Sequence, residues 1–252
     1  MKMEIVTLTP ENTSRHGFFC IKNPESPGFA AKQEWFTKAY EQGLQIQLYY
    51  SDDGRLAGFI EYVPGEFAWR PVEAKDYLFI HCLFIYPNKY RTSGAASALI
   101  AESVKYAKSM NLKGVCTLVS DGPWMARAKV FTKNSFQRVA SKGRFELMAL
   151  KFDPDEVVPE LIDWEKQLSK YKGWHLFYSN QCPWHKKGIQ VLEKVAREKN
   201  MDLTIHCITS AAKAKKVPSG FGTFALVSNG KLIEDHYISE RRFRTILEKA
   251  GY

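Results

Sequence analysis

Leu83-Phe84-Ile85-Tyr86-Pro87-Asn88-Lys89-Tyr90-Arg91-Thr92-Ser93-Gly94-Ala95-Ala96-Ser97-Ala98-Leu99 passes from an apolar strand, through a proline and a basic loop, into a helix that opens on small residues. The first turn of a helix carries unpaired N–H groups and the positive end of the dipole, which makes it a site for anions. Gly94, Ala95 and Ala96 leave that backbone approachable, while Lys89, Arg91, Thr92 and Ser93 add charge or hydroxyl donors on the same side. A nucleotide or a sugar phosphate satisfies this physics, and a tight strand-to-helix packing corner accounts for the same spacing.

Around this stretch the first half alternates strands and helices. Residues 4–9 read as a strand, 30–42 as a helix with Trp35, Phe36, Ala39 and Tyr40 on one side, and 44–50 and 55–63 as a hairpin closed by Ser51-Asp52-Asp53-Gly54. Residues 77–86 form a long apolar strand, 94–110 an amphipathic helix, 114–120 a strand, 124–133 a helix and 136–152 a terminal hairpin. Residues 153–173 make a boundary with a charged helical stretch over 161–171. Beyond it come strand 174–179, helix 184–199, strand 203–208, strands 223–228 and 231–238 about Asn229-Gly230, and helix 240–250.

Arg91-Thr92-Ser93-Gly94-Ala95-Ala96 resembles the pyrophosphate loop, (Gln or Arg)-x-x-Gly-x-(Gly or Ala), of the GNAT superfamily of N-acetyltransferases, and the preceding apolar-x-Pro strand end suits it. The resemblance covers roughly residues 3–152. It implies a mixed, mainly antiparallel sheet with flanking helices and acetyl-CoA as acetyl donor. The backbone of Leu83, Phe84 and Ile85 would hold the pantetheine arm, and the loop N–H groups from Thr92 to Ser97 the pyrophosphate. Gly58-Phe59-Ile60-Glu61-Tyr62-Val63-Pro64 and Ala68-Trp69-Arg70-Pro71-Val72 resemble a GNAT subgroup fused to a C-terminal YoaP-type domain. The implied division is 1–152 acetyltransferase, 153–173 helical linker and 174–252 a smaller thioredoxin-like α/β domain. An amine acceptor, small molecule or peptide, is implied by the resemblance, which also leaves room for a homodimer.

Transfer to an amine needs a base for the ammonium, directly or through water. Glu61 is one candidate, placed by strand alternation on the face of Phe59 and Val63. A structural ion pair with Arg70 or Arg144 explains it equally. His81 is the other, placed by the same alternation with Leu83 and Ile85; a satisfied core histidine is its ordinary fate. The tyrosine acid of many family members corresponds to Phe131, and the following glycine to Ser135. Tyr86, Ser120 and Cys116 are near without one being selected, so the acid stays unassigned. A non-catalytic acetyl-CoA-binding protein is therefore the alternative. Glu66 and Trp69 offer acid and aromatic surface to a cationic acceptor, although a tryptophan is more often core.

Asn180-Gln181-Cys182-Pro183-Trp184-His185 places a cysteine between a strand and a long helix, the layout of a thioredoxin-type site, where the dipole favours the thiolate. A protonated His185 would assist. The second cysteine and the proline before the third strand are missing, so a monothiol redox protein using Cys182 competes with a binding module. Of the other thiols, Cys82, Cys116 and Cys207 are expected in buried strands.

The 252 residues carry a formal charge of +9 from 36 basic and 27 acidic side chains. The basic residues do not concentrate beyond two short runs, so no nucleic-acid partner is expected. No apolar run reaches membrane-spanning length, and Met-Lys-Met-Glu-Ile-Val lacks the apolar core of a secretory signal. Five scattered cysteines without paired spacing argue against a disulfide framework and a metal site, and with the rest suggest a cytoplasmic protein.

Overall fold

The computed structural model describes residues 3–91 and 93–252, with Lys187 as backbone only. It groups into two compact units. One holds the described residues up to Phe19 together with Phe36–Ala68 and Val72–Ile162; the other holds Cys20–Trp35, Trp69–Pro71 and Asp163–Tyr252.

The first unit contains β1 (Glu4–Thr7), α1 (Thr13–His16), the end of α2 (Pro27–Tyr40), β2 (Gln45–Tyr50), β3 (Leu56–Pro64), β4 (Val72–Glu73), β5 (Tyr77–Ile85), α3 (Ala95–Ser109), β6 (Gly114–Ser120), α4 (Ala128–Thr132), β7 (Gln137–Lys142), β8 (Phe145–Lys151) and β9 (Glu160–Leu161). Seven strands form one sheet in the order β1-β2-β3-β5-β6-β8-β7, and β4 pairs separately with β9. Every pairing in the large sheet is antiparallel except that of β5 with β6. That parallel step comes from the crossover through α3, as a parallel pair requires.

Apolar side chains of α3 at helical spacing (Ala95, Leu99, Ile100, Ala107) pack into one core with Ile60, Tyr62, Ile80, Leu83 and Ile85. Phe131 of α4 and Phe136 close the same core, with ring centroids 5.3 Å apart. Truncating an aromatic ring in such a place costs about 3–5 kcal/mol.

Several sequence expectations are corrected. Trp124 has a positive φ of 67°, which no helix accommodates, and α4 is confined to Ala128–Thr132. The expected helix 161–171 gives up Leu161 to the β4–β9 ribbon. Its remainder is a 3₁₀ helix, Trp164–Lys170, begun by Asp163 accepting from the Glu165 N–H at 3.2 Å. The run has too few apolar positions to lay a wide α-helical face on a core.

The second unit contains the start of α2, then β10 (Trp174–Ser179), α5 (Pro183–Glu198), β11 (Leu203–Ile208), α6 (Ala211–Ala214), β12 (Phe224–Ser228), β13 (Lys231–Glu234) and α7 (Glu240–Lys249). Its sheet runs β11-β10-β12-β13. β10 and β11 are parallel across α5, and the remaining pairs are antiparallel. Asn229 and Gly230 close the last hairpin with φ of 45° and 76°, the left-handed pair that a two-residue turn demands. β11 lies at the edge, and Cys207 is exposed there, against the expectation of a buried strand. Alternation along a strand cannot reveal which strand is outermost. Cys116 is buried, as expected, and Cys82 is half-buried.

Candidate active site

β5 pairs with β6 only from Tyr77↔Gly114 to Ile80↔Thr117. β5 nevertheless continues to Ile85 and β6 to Ser120. The two strands therefore part after Ile80, where the Thr117 hydroxyl donates to the Ile80 carbonyl at 3.0 Å. From His81 onward one edge of β5 is open in the middle of the sheet.

Alternation of backbone groups decides what that edge offers. The Tyr86 N–H donates to Ala57 O at 2.9 Å, so residue 86 faces β3. Phe84 then also faces β3, and Leu83 and Ile85 face the open edge. The Ile85 carbonyl accepts from Arg91 Nε at 3.3 Å on that side. Of the three residues expected to bind the pantetheine arm through backbone groups, Phe84 is thus excluded. Leu83 and Ile85 are buried against α3, whereas the Phe84 ring is 42% exposed on the opposite face.

The open edge leads to the first turn of α3. Gly94 is its N-cap with φ 82°, and a Cβ there would meet nothing within 4 Å. The first intrahelical bond is Ala98 N–H to Gly94 O at 2.9 Å, which leaves the N–H groups of Ala95, Ala96 and Ser97 ahead of the ladder. Ala95 itself is buried in the core, so its smallness serves packing. Ser97 is exposed. Ser93 is committed locally, its N–H donating to Tyr90 O at 3.3 Å and its hydroxyl to the same carbonyl at 2.7 Å. Thr92 lies outside the described residues. Lys89 Nζ sits 3.5 Å from Asp53 Oδ2, which also accepts from the Tyr90 hydroxyl at 2.7 Å. The Ser51 and Tyr90 hydroxyls hold the Asp53 carboxyl well below the usual carboxylate range. Asp53 reads in the sequence only as a turn residue; its second task, tying the β2–β3 hairpin to the loop before α3, depends on contacts that no local pattern encodes.

Glu61 and His81 meet. Glu61 Oε1 lies 3.2 Å from His81 Nδ1, with both side chains buried. The register explains how: Glu61 stands opposite Cys82 and Tyr62 opposite Ile80, so His81 is an extra residue in β5. Such a bulge turns neighbouring side chains of the bulged strand to one side. Plain alternation puts His81 with Leu83 and Ile85; the bulge puts it instead with Glu61, Phe59 and Phe84, on the face away from α3. Both sequence candidates for the base thus form one pair beside the point where β5 and β6 part. Gly58 permits the close approach of β3 to β5 there, since a Cβ would come within 2.9 Å of Phe84 O.

The candidate acids diverge. Cys116 is buried, and burial pushes its thiol well above the usual range. Ser120 Oγ accepts from Arg144 at 2.7 Å and from the Gly122 N–H at 3.1 Å. Tyr86 is exposed. Phe131 is core, while Ser135, at the position of the family's glycine, has the positive φ of 67° that favours one. Trp69 is buried beside Trp35 within the second unit, which removes it as open acceptor surface; Glu66 is exposed.

In the second unit Cys182 is the N-cap of α5 with Pro183 at its first turn. His185 Nδ1 donates to Ser179 O at 2.9 Å. Burial depresses the His185 pKa to about 4, outweighing that hydrogen bond. The expectation of a protonated His185 beside the thiol is therefore overturned: the ring is neutral near pH 7. Among the described residues no group of three or more His, Cys, Asp or Glu could hold a metal ion, and no helix is long and apolar enough to cross a membrane.

A strand that leaves its parallel neighbour and feeds the N-terminus of a helix offers a run of open backbone groups leading to a turn that favours an anion. Residues 12–133 match the model of the acetyltransferase (GNAT) family, and residues 202–244 that of the YoaP-like family. The chain thus carries a GNAT acetyltransferase domain and a YoaP-like domain towards its C-terminus. It is 24% identical over 248 residues to the uncharacterized N-acetyltransferase YoaP of Bacillus subtilis (strain 168), covering 96% of this chain and 97% of that one. It is also similar to yncA of Salmonella typhimurium, solved with its cofactor acetyl-CoA, at 13% identity and a TM-score of 0.45 over 64% of this chain and 99% of that one. Spermidine N-acetyltransferase of Vibrio cholerae aligns at 14% identity and a TM-score of 0.42 over 62% and 99%.

Proposed function

We propose that the chain is an N-acetyltransferase that moves the acetyl group of acetyl-CoA to a primary amine. The observation that carries this reading is the parting of β5 from β6 after Ile80, continuous with the uncapped first turn of α3. The residues present fit the donor: Leu83 and Ile85 turn backbone groups to the open edge, and the ground around Gly94 is clear. Acetyl-CoA supplies the acetyl group already activated as a thioester. An N–H on the open edge would stabilise charge on the thioester oxygen, an effect worth several kcal/mol where it is preorganised.

The Glu61–His81 pair would take the proton that the amine loses. With the Nδ1–H given to Glu61, the imidazole keeps a lone pair on Nε2, so Glu61 acts as orienter and His81 as the accepting group. A general base of this kind contributes about 10²- to 10⁴-fold. The buried Phe131 favours a second reading, acetyl-CoA binding without turnover.

For the second unit we infer a thioredoxin-like module, supported by its strand order and by Cys182 at the start of α5. The scattered free thiols suit a reducing, cytoplasmic compartment. Coenzyme A release across an amine panel, read beside the melting shift given by acetyl-CoA, tests the main proposal. Ligand at a hundredfold excess over Kd should add about 2.7 kcal/mol. A shift with no turnover on any amine selects the binding protein, and no shift removes both readings.

A further inference from the structure

We infer that the acceptor is a monoamine with an aromatic or bulky apolar body, held on a ring platform that runs from the Glu61–His81 pair to the exposed end of β5. The inference rests on the acetyl-transfer reading above and deepens it. The donor's handle belongs at the first turn of α3; on the face of the sheet away from α3, Ile46, Leu48, Glu61 and Val63 are buried, and the part that stays open to an acceptor is the end of β5 beyond Cys82. On that face Phe19 stacks on Phe59 with centroids 5.4 Å apart and meets Phe84 edge-on at 5.9 Å. Phe84 in turn lies parallel to Tyr86 at 6.4 Å. Phe84 and Tyr86 are 42% and 59% exposed, large rings open to solvent at the end of an otherwise buried strand.

The register joins this platform to the chemistry. Phe59 stands opposite Phe84, and Glu61 opposite Cys82. The carboxylate is therefore two residue pairs further along, about 7 Å away, on the same face. That spacing suits a primary amine at the Glu61–His81 pair with its body lying across the rings. Aromatic faces attract a cation and stack with another ring. Glu61 is the single carboxylate in β3 and β5. A second ammonium would meet no carboxylate from these strands and would give up hydration on a ring face for a small cation–π return, whereas an apolar body gains by burial there, so the platform favours an apolar-bodied monoamine over a polyamine.

The test compares 2-phenylethylamine, propylamine and spermidine as acceptors at saturating acetyl-CoA, in wild type, Phe19→Ala and Phe84→Leu. For wild type, kcat/KM for 2-phenylethylamine should exceed that for spermidine by at least about tenfold. Phe19→Ala should raise KM for 2-phenylethylamine by about tenfold with kcat within about twofold, raise KM for propylamine by a clearly smaller factor, and leave Kd for acetyl-CoA unchanged. Phe84→Leu keeps the strand apolar and should weaken 2-phenylethylamine in the same selective way. Preference for spermidine, or an unchanged KM for 2-phenylethylamine in both variants, overturns the inference while acetyl transfer itself stands. If no amine turns over, the transfer reading fails instead. Calorimetry with 2-phenylethylamine then decides the platform, through binding that is lost in Phe19→Ala or through its absence in wild type.

Discussion

Replacing Ser97 by Asp separates helix stability from anion binding. Ser97 is the third residue of α3, exposed, in a first turn that holds no acidic side chain. A carboxylate there meets the positive end of the helix dipole and should stabilise the fold by about 0.3–1 kcal/mol. In a chain of this size that is a rise in Tm of roughly 1–4 °C. The same carboxylate would stand about 6 Å from an anion held on the first-turn N–H groups. At that distance each unit of negative charge costs about 0.7 kcal/mol at a dielectric constant near 80 and about 2.8 kcal/mol near 20. Acetyl-CoA should therefore bind about 3- to 100-fold more weakly to Ser97→Asp, and added salt should narrow the gap. Titration calorimetry and a thermal melt on the same samples read both effects. A raised Tm with an unchanged Kd for acetyl-CoA would refute the placement of the pyrophosphate at α3.

Glu61→Gln and His81→Gln should each lower kcat by about 10²- to 10⁴-fold with little change in Kd for acetyl-CoA; kinetics that leave either variant within a factor of two of wild type remove that residue from the proton path. Because His185 titrates near 4 when folded, against an ordinary value of 6.5, its contribution is intact above pH 6.5 and is lost as pH falls towards 4. Urea unfolding should show about 2 kcal/mol less stability at pH 5 than at pH 7 from this residue, and His185→Gln should flatten that part of the profile. In iodoacetamide labelling followed by peptide mass mapping, exposed Cys207 should react well ahead of buried Cys116, which should label only on unfolding; labelling of Cys116 in the native protein at a comparable rate contradicts its burial.

What the sequence disclosed and what it withheld divide along the range of the forces involved. The loop before α3 was legible because a helix start, a left-handed glycine and small neighbours are all local. Asn229-Gly230 was legible for the same reason. Glu61 and His81 were both visible as odd polar groups in apolar strands, yet alternation related each only to its own strand and grouped His81 with Leu83 and Ile85. Their meeting depends on two residues of β5 standing against one of β3, a fact of pairing that neither strand carries by itself. The parting of β5 from β6 is likewise a relation between strands, and the edge position of Cys207 a property of the whole sheet. The β4–β9 ribbon has two residues a side, too short for any periodic signal.

The extra residue at His81 makes the meeting of Glu61 and His81 a matter of chain length as much as of side-chain identity. Removing one residue between Leu78 and Cys82 would restore unbroken alternation. His81 could stay in the sequence and still turn its imidazole into the hydrocarbon around Leu99 and Ile100. Point substitution scans would never visit that state, because every residue in it is unchanged. A substitution at Glu61 or His81 removes one member of the pair, whereas a three-nucleotide deletion parts them with both still present, so on the proposed mechanism the loss of one position here would end transfer while leaving the donor's site in place.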